Sequence, residues 1–415
     1  MHVSFFTFPT DIIDEGYDHV LHQLTSTGAD RVALACSYHH ARDIFPHNPK
    51  RVVYYHEGNV VFFHPDTSRY RGLRLQPRVS KLAESCDVLG KVTEHAARYD
   101  VEIQAWLIFL HDFPITDEIL DCVVRNAFDD PYITQLCPTN PEVQAYAIAL
   151  AQDVARYGVQ AILAESIGYG GFDHGYHHER SFISLTPIAR FLLGICFCKH
   201  CVSLASAHNI DAKRVREFVR TLMKDVLHEK TVPWLHEPLT WSTVSAALNG
   251  ELGRYLLMQQ KVVTDLIRNI QEAIKQATPA NTSLIPIDLS GATLGYLTGT
   301  PPENCFAAEV AWREGLDLYS LATITKHLAI LGYVRDPARL AQEVAVYRKV
   351  VPPDTILTVA LRPLLPDCPS PENLREKMRL LRVAGVDDIA FYHYGLMSHS
   401  RLAWVRDILF EDSQC

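Results

Sequence analysis

The sequence predicts a closed (β/α)₈ TIM barrel of the α/β class, and three observations carry this prediction. Short runs rich in β-branched and aromatic residues alternate with helical segments along the 415 residues, which is typical of parallel strands joined by helical crossovers. Eight such strand–helix units can be counted, the number that closes this kind of barrel. No glycine-rich turn follows the first strand, which disfavours the alternative, a doubly wound open sheet.

The predicted elements follow from local pattern. Near-continuous apolar order in residues 31–37 is expected for a strand buried on both faces. The eight strands are predicted at residues 2–8, 31–37, 102–110, 159–165, 283–289, 316–320, 355–362 and 388–394. Helices are predicted at residues 17–26, 79–98, 141–157, 337–349, 371–384 and 400–410. Residues 51–56 and 60–64 are predicted to pair as a hairpin with Gly58 in its turn.

Length alone allows two or three domains, but α/β barrels run long as single domains. We therefore predict one TIM-barrel domain over residues 1–415. A long, mostly helical stretch separates predicted strands 4 and 5. Within it, residues 185–280 are predicted to form a helical insertion or lid on the C-terminal side of the barrel.

Composition excludes several classes of function. A net charge of −9 without a basic stretch argues against a nucleic-acid partner. No segment approaches the roughly 18 apolar residues that a membrane helix needs. The N-terminus lacks a signal-peptide pattern, and ten cysteines fit a reducing compartment. These features predict a cytoplasmic protein and leave a homo-oligomer open.

Four cysteines have the spacing of metal ligands. Cys196, Cys198 and Cys201 form a C-x-C-x-x-C pattern, and Cys137 opens the segment Cys-Pro-Thr-Asn-Pro. Four thiolates make a closed tetrahedral zinc site with no open position for catalysis. The pattern therefore predicts one structural Zn²⁺ that clamps the loops around Glu165, and four buried thiols acting as small hydrophobes are the alternative.

Polar and aromatic residues end most of the predicted strands, on the face where barrel enzymes carry their active sites. Glycoside hydrolysis usually needs two carboxyl groups, about 5–5.5 Å apart in retaining enzymes and about 6.5–9.5 Å apart in inverting ones. We predict Glu165 as the general acid, Asp288 as the nucleophile or base, and His111 as the next candidate base. The predicted substrate-binding residues are His39, His40, Trp106, Tyr169, His174, His177, His178, Tyr319, Arg362, His393 and Tyr394.

The loop after predicted strand 4, residues 166–180, contains four glycines, two tyrosines and three histidines. This composition predicts a shaped loop that contacts substrate. A catalytic metal site is an alternative, although H-x-x-H-H-E differs from the H-E-x-x-H pattern of zinc proteases. A solvated and inert surface loop is the third interpretation.

From residue 135 to residue 201 the order of motifs resembles the glycoside hydrolase family 42 β-galactosidases and related clan A barrels. That family shows a Cys-Pro segment, then a strand ending in the acid/base glutamate, then a C-x-C-x-x-C that completes a zinc cluster. Here the counterparts are Cys137, Glu165, and the cysteines from Cys196 to Cys201. The whole chain also resembles bacterial glycosyl-hydrolase-like barrels of unassigned activity. The resemblance implies a glycoside hydrolase acting on a small glycoside or oligosaccharide.

Two departures from this family pattern matter. Ala164 precedes Glu165 where the clan has Asn, and Arg362 stands near the end of predicted strand 7 where the clan has its nucleophilic glutamate. The nucleophile is therefore not carried over, which favours an inverting mechanism. A carbohydrate-binding barrel without catalysis and a metal-dependent sugar isomerase or lyase remain as competing functions.

Overall fold

Eight parallel strands close into a barrel, as predicted, in the computed structural model, which describes residues 1–111, 116–173, 180–278 and 281–411. Strands neighbouring in sequence pair in register, and strand 1 pairs with strand 8 to close the barrel. In chain order, barrel strands 1 to 8 are His2–Thr7, Arg31–Ala35, Glu102–Ile108, Ala161–Glu165, Ser283–Asp288, His327–Leu331, Ile356–Leu361 and Asp388–Phe391.

Burial on both faces explains why these segments form a barrel. Every residue of barrel strand 2 is buried, as expected for a parallel strand covered by side chains inside and by helices outside. At the closure, Phe5 of strand 1 lies opposite Phe391 of strand 8, with ring centroids 5.2 Å apart. The hydrophobic core therefore runs continuously across the junction of the two ends of the chain.

Most predicted helices are confirmed. Helix Tyr17–Ser26 has its predicted bounds, whereas the helix predicted at residues 79–98 covers only Val88–Ala96. Asp87 begins that helix because its side chain accepts a hydrogen bond from the Gly90 amide. The other helices outside the stretch between strands 4 and 5 are Pro9–Glu15, Pro141–Ala155, Ser290–Gly295, Ala307–Val310, Leu318–Thr325, Pro337–Val350, Pro371–Val383 and His399–Glu411.

The prediction for strand 6 is wrong. Residues 316–320 lead into helix Leu318–Thr325, which begins where the Asp317 side chain accepts a hydrogen bond from the Ser320 amide. The strand follows at His327–Leu331. A short apolar run is ambiguous between helix and strand, and here the capping residue decides for a helix.

The predicted hairpin is also wrong. Strand Val53–His56 pairs with Ala41–Ile44, and strand Val60–Val61 pairs with Ser37–Tyr38. The two segments on either side of Gly58 therefore pair with earlier residues and not with each other. Alternating runs indicate strands, but they do not identify the partner of each strand.

The stretch between barrel strands 4 and 5 is helical, as predicted. It contains helices Pro187–Gly194, Lys199–Ala207, Ala212–Leu227, Trp241–Ser245 and Glu251–Ala277. The last of these packs against helix Pro141–Ala155 in the outer layer of the barrel, where Gln152 donates a hydrogen bond to the Ala273 carbonyl. Among the described residues no single helix has the length and apolarity to cross a bilayer. The pair Pro187–Gly194 and Lys199–Ala207 meets that requirement only when combined across a 90° bend.

A buried ion pair lies at the end of the barrel where the strands begin. Arg31 starts strand 2 and donates to Asp388, which starts strand 8, at 2.8 Å. His327 of strand 6 lies 3.6 Å from the same carboxylate, and burial lowers the pKa of His327 to about 4. Charged and polar groups from three strands thus fill this end of the barrel.

We expect Asp388→Asn to lower the free energy of unfolding by about 3 kcal/mol, because it removes the buried counter-ion of Arg31 and leaves only the half-exposed carboxylate of Glu102 as its partner. Urea denaturation measures this difference. The matched control is Asp354→Asn, which removes an exposed ion pair to Lys326 and should leave the free energy of unfolding nearly unchanged. Equal losses in the two variants would contradict the importance of the buried pair.

Candidate functional site

Glu165 is the last residue of barrel strand 4, where the sequence places it. The next residue, Ser166, has a positive φ of 54°, an uncommon conformation that turns the chain sharply away from the strand. The indole Nε1 of Trp106 donates a 2.6 Å hydrogen bond to Glu165 Oε2. Burial raises the pKa of Glu165 to about 7, and the bond from Trp106 opposes that shift. Glu165 is thus a carboxyl group that can both hold and release a proton near neutral pH.

The sequence did not predict a second carboxyl group near Glu165, that of Glu314. It lies in the connection between barrel strands 5 and 6, and its carbonyl accepts a 2.8 Å hydrogen bond from the Tyr169 amide. Burial, together with the negative charges of Asp288 and Glu165, raises the pKa of Glu314 to about 8. The wrong assignment of strand 6 concealed this residue, because it put Glu314 ahead of a strand and away from the catalytic face.

The loop after barrel strand 4 and the Glu314 segment are in direct contact. A Cβ atom at Gly168 would overlap the Glu314 carbonyl oxygen, so only glycine permits this approach. The Gly168 carbonyl also accepts a hydrogen bond of 3.2 Å from the Gln135 side chain. The backbone around Glu314 is therefore fastened to the loop that begins at Glu165.

Aromatic rings surround the Glu165 carboxyl group. The Trp106 ring lies 5.0 Å from Phe6, 5.1 Å from Tyr38 and 6.0 Å from Tyr392. Tyr333 continues this wall at 6.0 Å from Tyr392, and the Tyr38 and Tyr392 hydroxyls are 3.4 Å apart. The rings come from strands 1 and 3 and from segments that follow strands 2, 6 and 8. Trp106 and Tyr38 are almost fully buried, so these rings form a packed apolar layer around Glu165 in which the tyrosine hydroxyls are the polar groups.

Arg362 follows barrel strand 7 and is held at the same end of the barrel. Its guanidinium lies 4.6 Å from the centre of the Tyr296 ring and 4.7 Å from that of Tyr333. Asp367 accepts a 2.6 Å hydrogen bond from Arg362 Nε, and this carboxylate helps to raise the pKa of the guanidinium. The positive charge is therefore paired within the protein, and its position is fixed by two aromatic faces.

The Asp288 carboxyl group is bound by the outer layer of the barrel, so the prediction that it faces Glu165 is wrong. The carboxyl group is fully buried and accepts a 2.6 Å hydrogen bond from the hydroxyl of Tyr347, on outer-layer helix Pro337–Val350. Its other oxygen accepts a 2.9 Å bond from the Ser290 amide. Burial raises the pKa of Asp288, while these two donors lower it. Asp288 therefore acts on the site through its charge near Glu314.

Of three further predicted contact residues, Tyr319 and Tyr394 lie away from the aromatic wall, and His393 borders it with its ring 6.3 Å from that of Trp106. Tyr319 is on a helix and 61% exposed, because the strand predicted there is a helix. His393 is fully buried and stacks on Phe8 at 3.8 Å. Tyr394 is also buried and donates to Glu15. The strand-8 side chain that reaches the wall is the preceding residue, Tyr392.

The remaining predicted contact residues divide into two groups. His39 stacks on Tyr38 at 4.4 Å and lies 5.7 Å from His111, and His40 follows at the surface, so these three histidines lie on the strand 2 and strand 3 side of the site. His174, His177 and His178 lie outside the described residues.

The four predicted cysteines meet in one buried cluster beside the Glu165 loop. The Cys137 sulfur lies 3.7 Å from that of Cys196, 3.6 Å from that of Cys198 and 3.6 Å from that of Cys201. Tetrahedral coordination with metal–sulfur bonds of about 2.3 Å puts sulfurs about 3.8 Å apart. The cluster can therefore hold a metal ion. Tyr169, predicted to touch substrate, instead directs its hydroxyl to this cluster, 3.8 Å from the Cys201 sulfur.

No known family model and no curated protein sequence matches this chain. Among solved structures, α-L-fucosidase isoenzyme 2 from Paenibacillus thiaminolyticus is 12% identical with a TM-score of 0.55, over 96% of this chain and 46% of the fucosidase. A β-galactosidase from the Antarctic haloarchaeon Halorubrum lacusprofundi is 12% identical with a TM-score of 0.57, over 100% of this chain and 58% of that enzyme. The β-amylase catalytic domain from Paenibacillus polymyxa is 9% identical with a TM-score of 0.54, over 99% and 98%.

These enzymes share the barrel with this protein, and at such identities the likeness shows the fold. The chain spans about half the length of the fucosidase and of the β-galactosidase. The neighbours act on different sugars, so they do not single out one family, and the resemblance to family 42 stays a prediction.

We expect Glu165→Gln to stabilise the protein at pH 8, by at most about 3.6 kcal/mol. In the wild type the folded state holds the Glu165 proton up to a pKa of about 7, well above the value near 4.3 of an unfolded chain. Stability therefore falls as pH rises between these two values, and the amide removes this loss. Chemical denaturation at pH 5 and pH 8 measures the difference.

The gain should be small at pH 5, where folded Glu165 keeps its proton. Glu237→Gln, at an exposed surface position, is the control and should change stability by less than about 0.5 kcal/mol at either pH. A Glu165→Gln protein with wild-type stability at pH 8 would show that the carboxyl group ionises without strain.

Proposed function

We propose that this protein is a glycoside hydrolase and that Glu165 and Glu314 are its catalytic carboxyl pair. The observation that carries the proposal is this pair at one end of the barrel: Glu165 has a pKa raised by burial, and Glu314 has a pKa raised by burial and by the charge of Glu165. The surrounding aromatic wall and the glycosidase barrels with the same fold support a carbohydrate substrate.

Glycoside hydrolysis needs one group that donates a proton to the leaving oxygen and one that stays ionised. Two interacting carboxyl groups with pKa values of about 7 and 8 hold a single proton between them in that pH range. We assign the proton donor as Glu165, because Trp106 occupies only Oε2 and no described residue bonds to Oε1. Glu314 then takes the role of base or nucleophile that the sequence analysis gave to Asp288, ahead of His111. Because Glu314 has the higher pKa, the shared proton lies mainly on Glu314, and the reactive form is the minor one in which Glu165 is protonated and Glu314 is ionised.

The aromatic wall would bind the sugar and keep water from the acid. Trp106, Tyr38 and Tyr392 present ring faces and hydroxyls around Glu165. A site poor in water strengthens every charge interaction within it, which keeps the acid protonated until the glycosidic oxygen takes the proton. The inverting course remains our preference, with water activated by Glu314.

A carbohydrate-binding barrel without catalysis is the second candidate. It is favoured by Arg362, which follows strand 7 where the resemblance would place a nucleophilic glutamate and which is paired with Asp367. Binding of a sugar without turnover would support this reading, and hydrolysis would exclude it.

We also propose that the cysteine cluster binds one structural Zn²⁺. Cys137, Cys196, Cys198 and Cys201 would supply four thiolate ligands, the donor set that closed zinc sites use. The ion would hold the segment that carries Cys137, just before helix Pro141–Ala155, to the start of helix Lys199–Ala207 and would leave no position for a reacting water.

We expect Glu165→Gln and Glu314→Gln each to lower kcat on natural glycosides by about 10²–10⁴-fold, since acid–base assistance is typically worth that factor. The measurement is turnover on a panel of β-galactosides, α-fucosides, β-mannosides and glucosides. The wild-type rate should be bell-shaped in pH with its maximum between about 7 and 8, because one group must ionise and the other must stay protonated.

Leaving-group dependence separates the two roles. A nitrophenyl leaving group needs little protonation, so it should restore most of the activity of the variant that lacks the acid, Glu165→Gln. If the nitrophenyl substrate instead restores the activity of Glu314→Gln, then Glu314 is the acid and Glu165 is the base or nucleophile. Asp288→Asn serves as the control, and a loss as large as that of the glutamate variants would return Asp288 to the mechanism.

We expect one zinc per chain by elemental analysis of protein purified without chelator. Cys198→Ser should abolish this stoichiometry and lower the melting temperature, because metal binding contributes folding free energy. Cys368→Ser, at a buried cysteine outside the cluster, should keep the zinc. Metal-free wild-type protein with an unchanged melting temperature would contradict the proposal.

A further inference from the structure

We propose that Tyr169 is a positioning residue that couples the cysteine cluster to the Glu314 segment. This inference rests on the proposed function, because Glu314 is one of its two catalytic groups. It gives Tyr169 a role different from the substrate contact that the sequence predicts.

The hydroxyl of Tyr169 is anchored at the cluster. It lies 2.6 Å from Thr139 Oγ1 and 3.8 Å from the Cys201 sulfur. The Cys201 sulfur is itself 3.1 Å from Thr139 Oγ1, so the three groups form a closed triangle. The tyrosine side chain is buried, with 4% of its surface exposed. Its orientation is therefore set by the residues that hold the metal site together.

The other end of Tyr169 holds the Glu314 segment. The Tyr169 amide donates to the Glu314 carbonyl at 2.8 Å. Its ring lies against the next residue, Gly315, where a Cβ atom would come 2.9 Å from ring carbon Cδ2. Gly315 also has a φ of +78°, which favours glycine. The side chain and the backbone amide of Tyr169 thus connect the cysteine cluster to the backbone of Glu314 and Gly315.

The position of Glu314 decides its protonation. The titratable groups that act on it are Glu165 from strand 4, Asp288 from strand 5, and Tyr347 from helix Pro337–Val350. Burial among these groups keeps Glu314 protonated at neutral pH. If the segment loosens and water enters, the carboxylate is stabilised and Glu314 ionises at lower pH. The cysteine cluster has no catalytic role of its own, but its order would affect the reaction, because Tyr169 would transmit it to the protonation of Glu314.

The test uses Tyr169→Phe, which keeps the ring and removes the hydroxyl, and Thr139→Val, which removes the partner of that hydroxyl. We expect kcat/KM to fall about 10–100-fold, the loss typical of residues that orient functional groups without contacting the substrate themselves. The basic limb of the pH–rate profile should move to lower pH in both variants. Hydrogen–deuterium exchange of residues 311–317 should become faster, as it should in wild-type protein after zinc is removed with dipicolinate.

Tyr70→Phe is the matched control, since it deletes a buried tyrosine hydroxyl that bonds to Asp153 outside both the cluster and the Glu314 segment. It should leave the pH profile and the exchange of residues 311–317 unchanged. A Tyr169→Phe protein that melts earlier but keeps both readouts would reduce Tyr169 to a packing residue and overturn the inference. If the wild type hydrolyses no glycoside, the proposed function fails, and the exchange measurement still decides whether Tyr169 couples the two segments.

Discussion

The closing of the barrel by parallel pairing of strands 1 and 8 is the constraint on which the site depends. Strand 8 lies in register with strand 1, with Ile389 opposite Val3 and Phe391 opposite Phe5. In a closed parallel barrel the carboxyl ends of all strands lie at one face. Residues far apart in the chain, such as Tyr38, Trp106 and Tyr392, therefore meet around Glu165.

Burying the carboxyl groups of Glu165 and Glu314 costs folding free energy. Hydrogen bonds from neighbouring residues hold both residues in place. Glu165 receives a hydrogen bond from Trp106, while the segment that carries Glu314 is held by the loop after strand 4 through its backbone. That loop borders the cysteine cluster. The buried carboxyl groups of the site destabilise the folded state. A metal ion bound in the neighbouring cysteine cluster would stabilise the folded state in the same part of the barrel. Strain at a site balanced by stability beside it is a common arrangement in enzymes.

A barrel fold hosts many reactions, so the fold does not name the substrate. The specific features of this protein lie at its strand ends. Arg362 follows strand 7, fixed between Tyr296 and Tyr333 and paired with Asp367. A second carboxyl group comes from the connection between strands 5 and 6. If this pair is catalytic, the chemistry uses a loop position and not the end of strand 7, which separates this protein from the pattern that its cysteine and Glu165 motifs resemble.

Local pattern alone determined the barrel fold and seven of its eight strands, the position of Glu165 at the end of strand 4 and the four cysteines of one cluster. Hydrophobic period and residue spacing are properties of neighbouring residues, so the sequence carries them directly. Only the tertiary structure decided that Asp288 turns to Tyr347 in the outer layer and that Glu314 approaches Glu165. Successive residues of a strand point to opposite faces, so an error of one residue at a strand end reverses a side chain. Contacts between distant loops depend on the packing of the whole barrel, which no local pattern encodes.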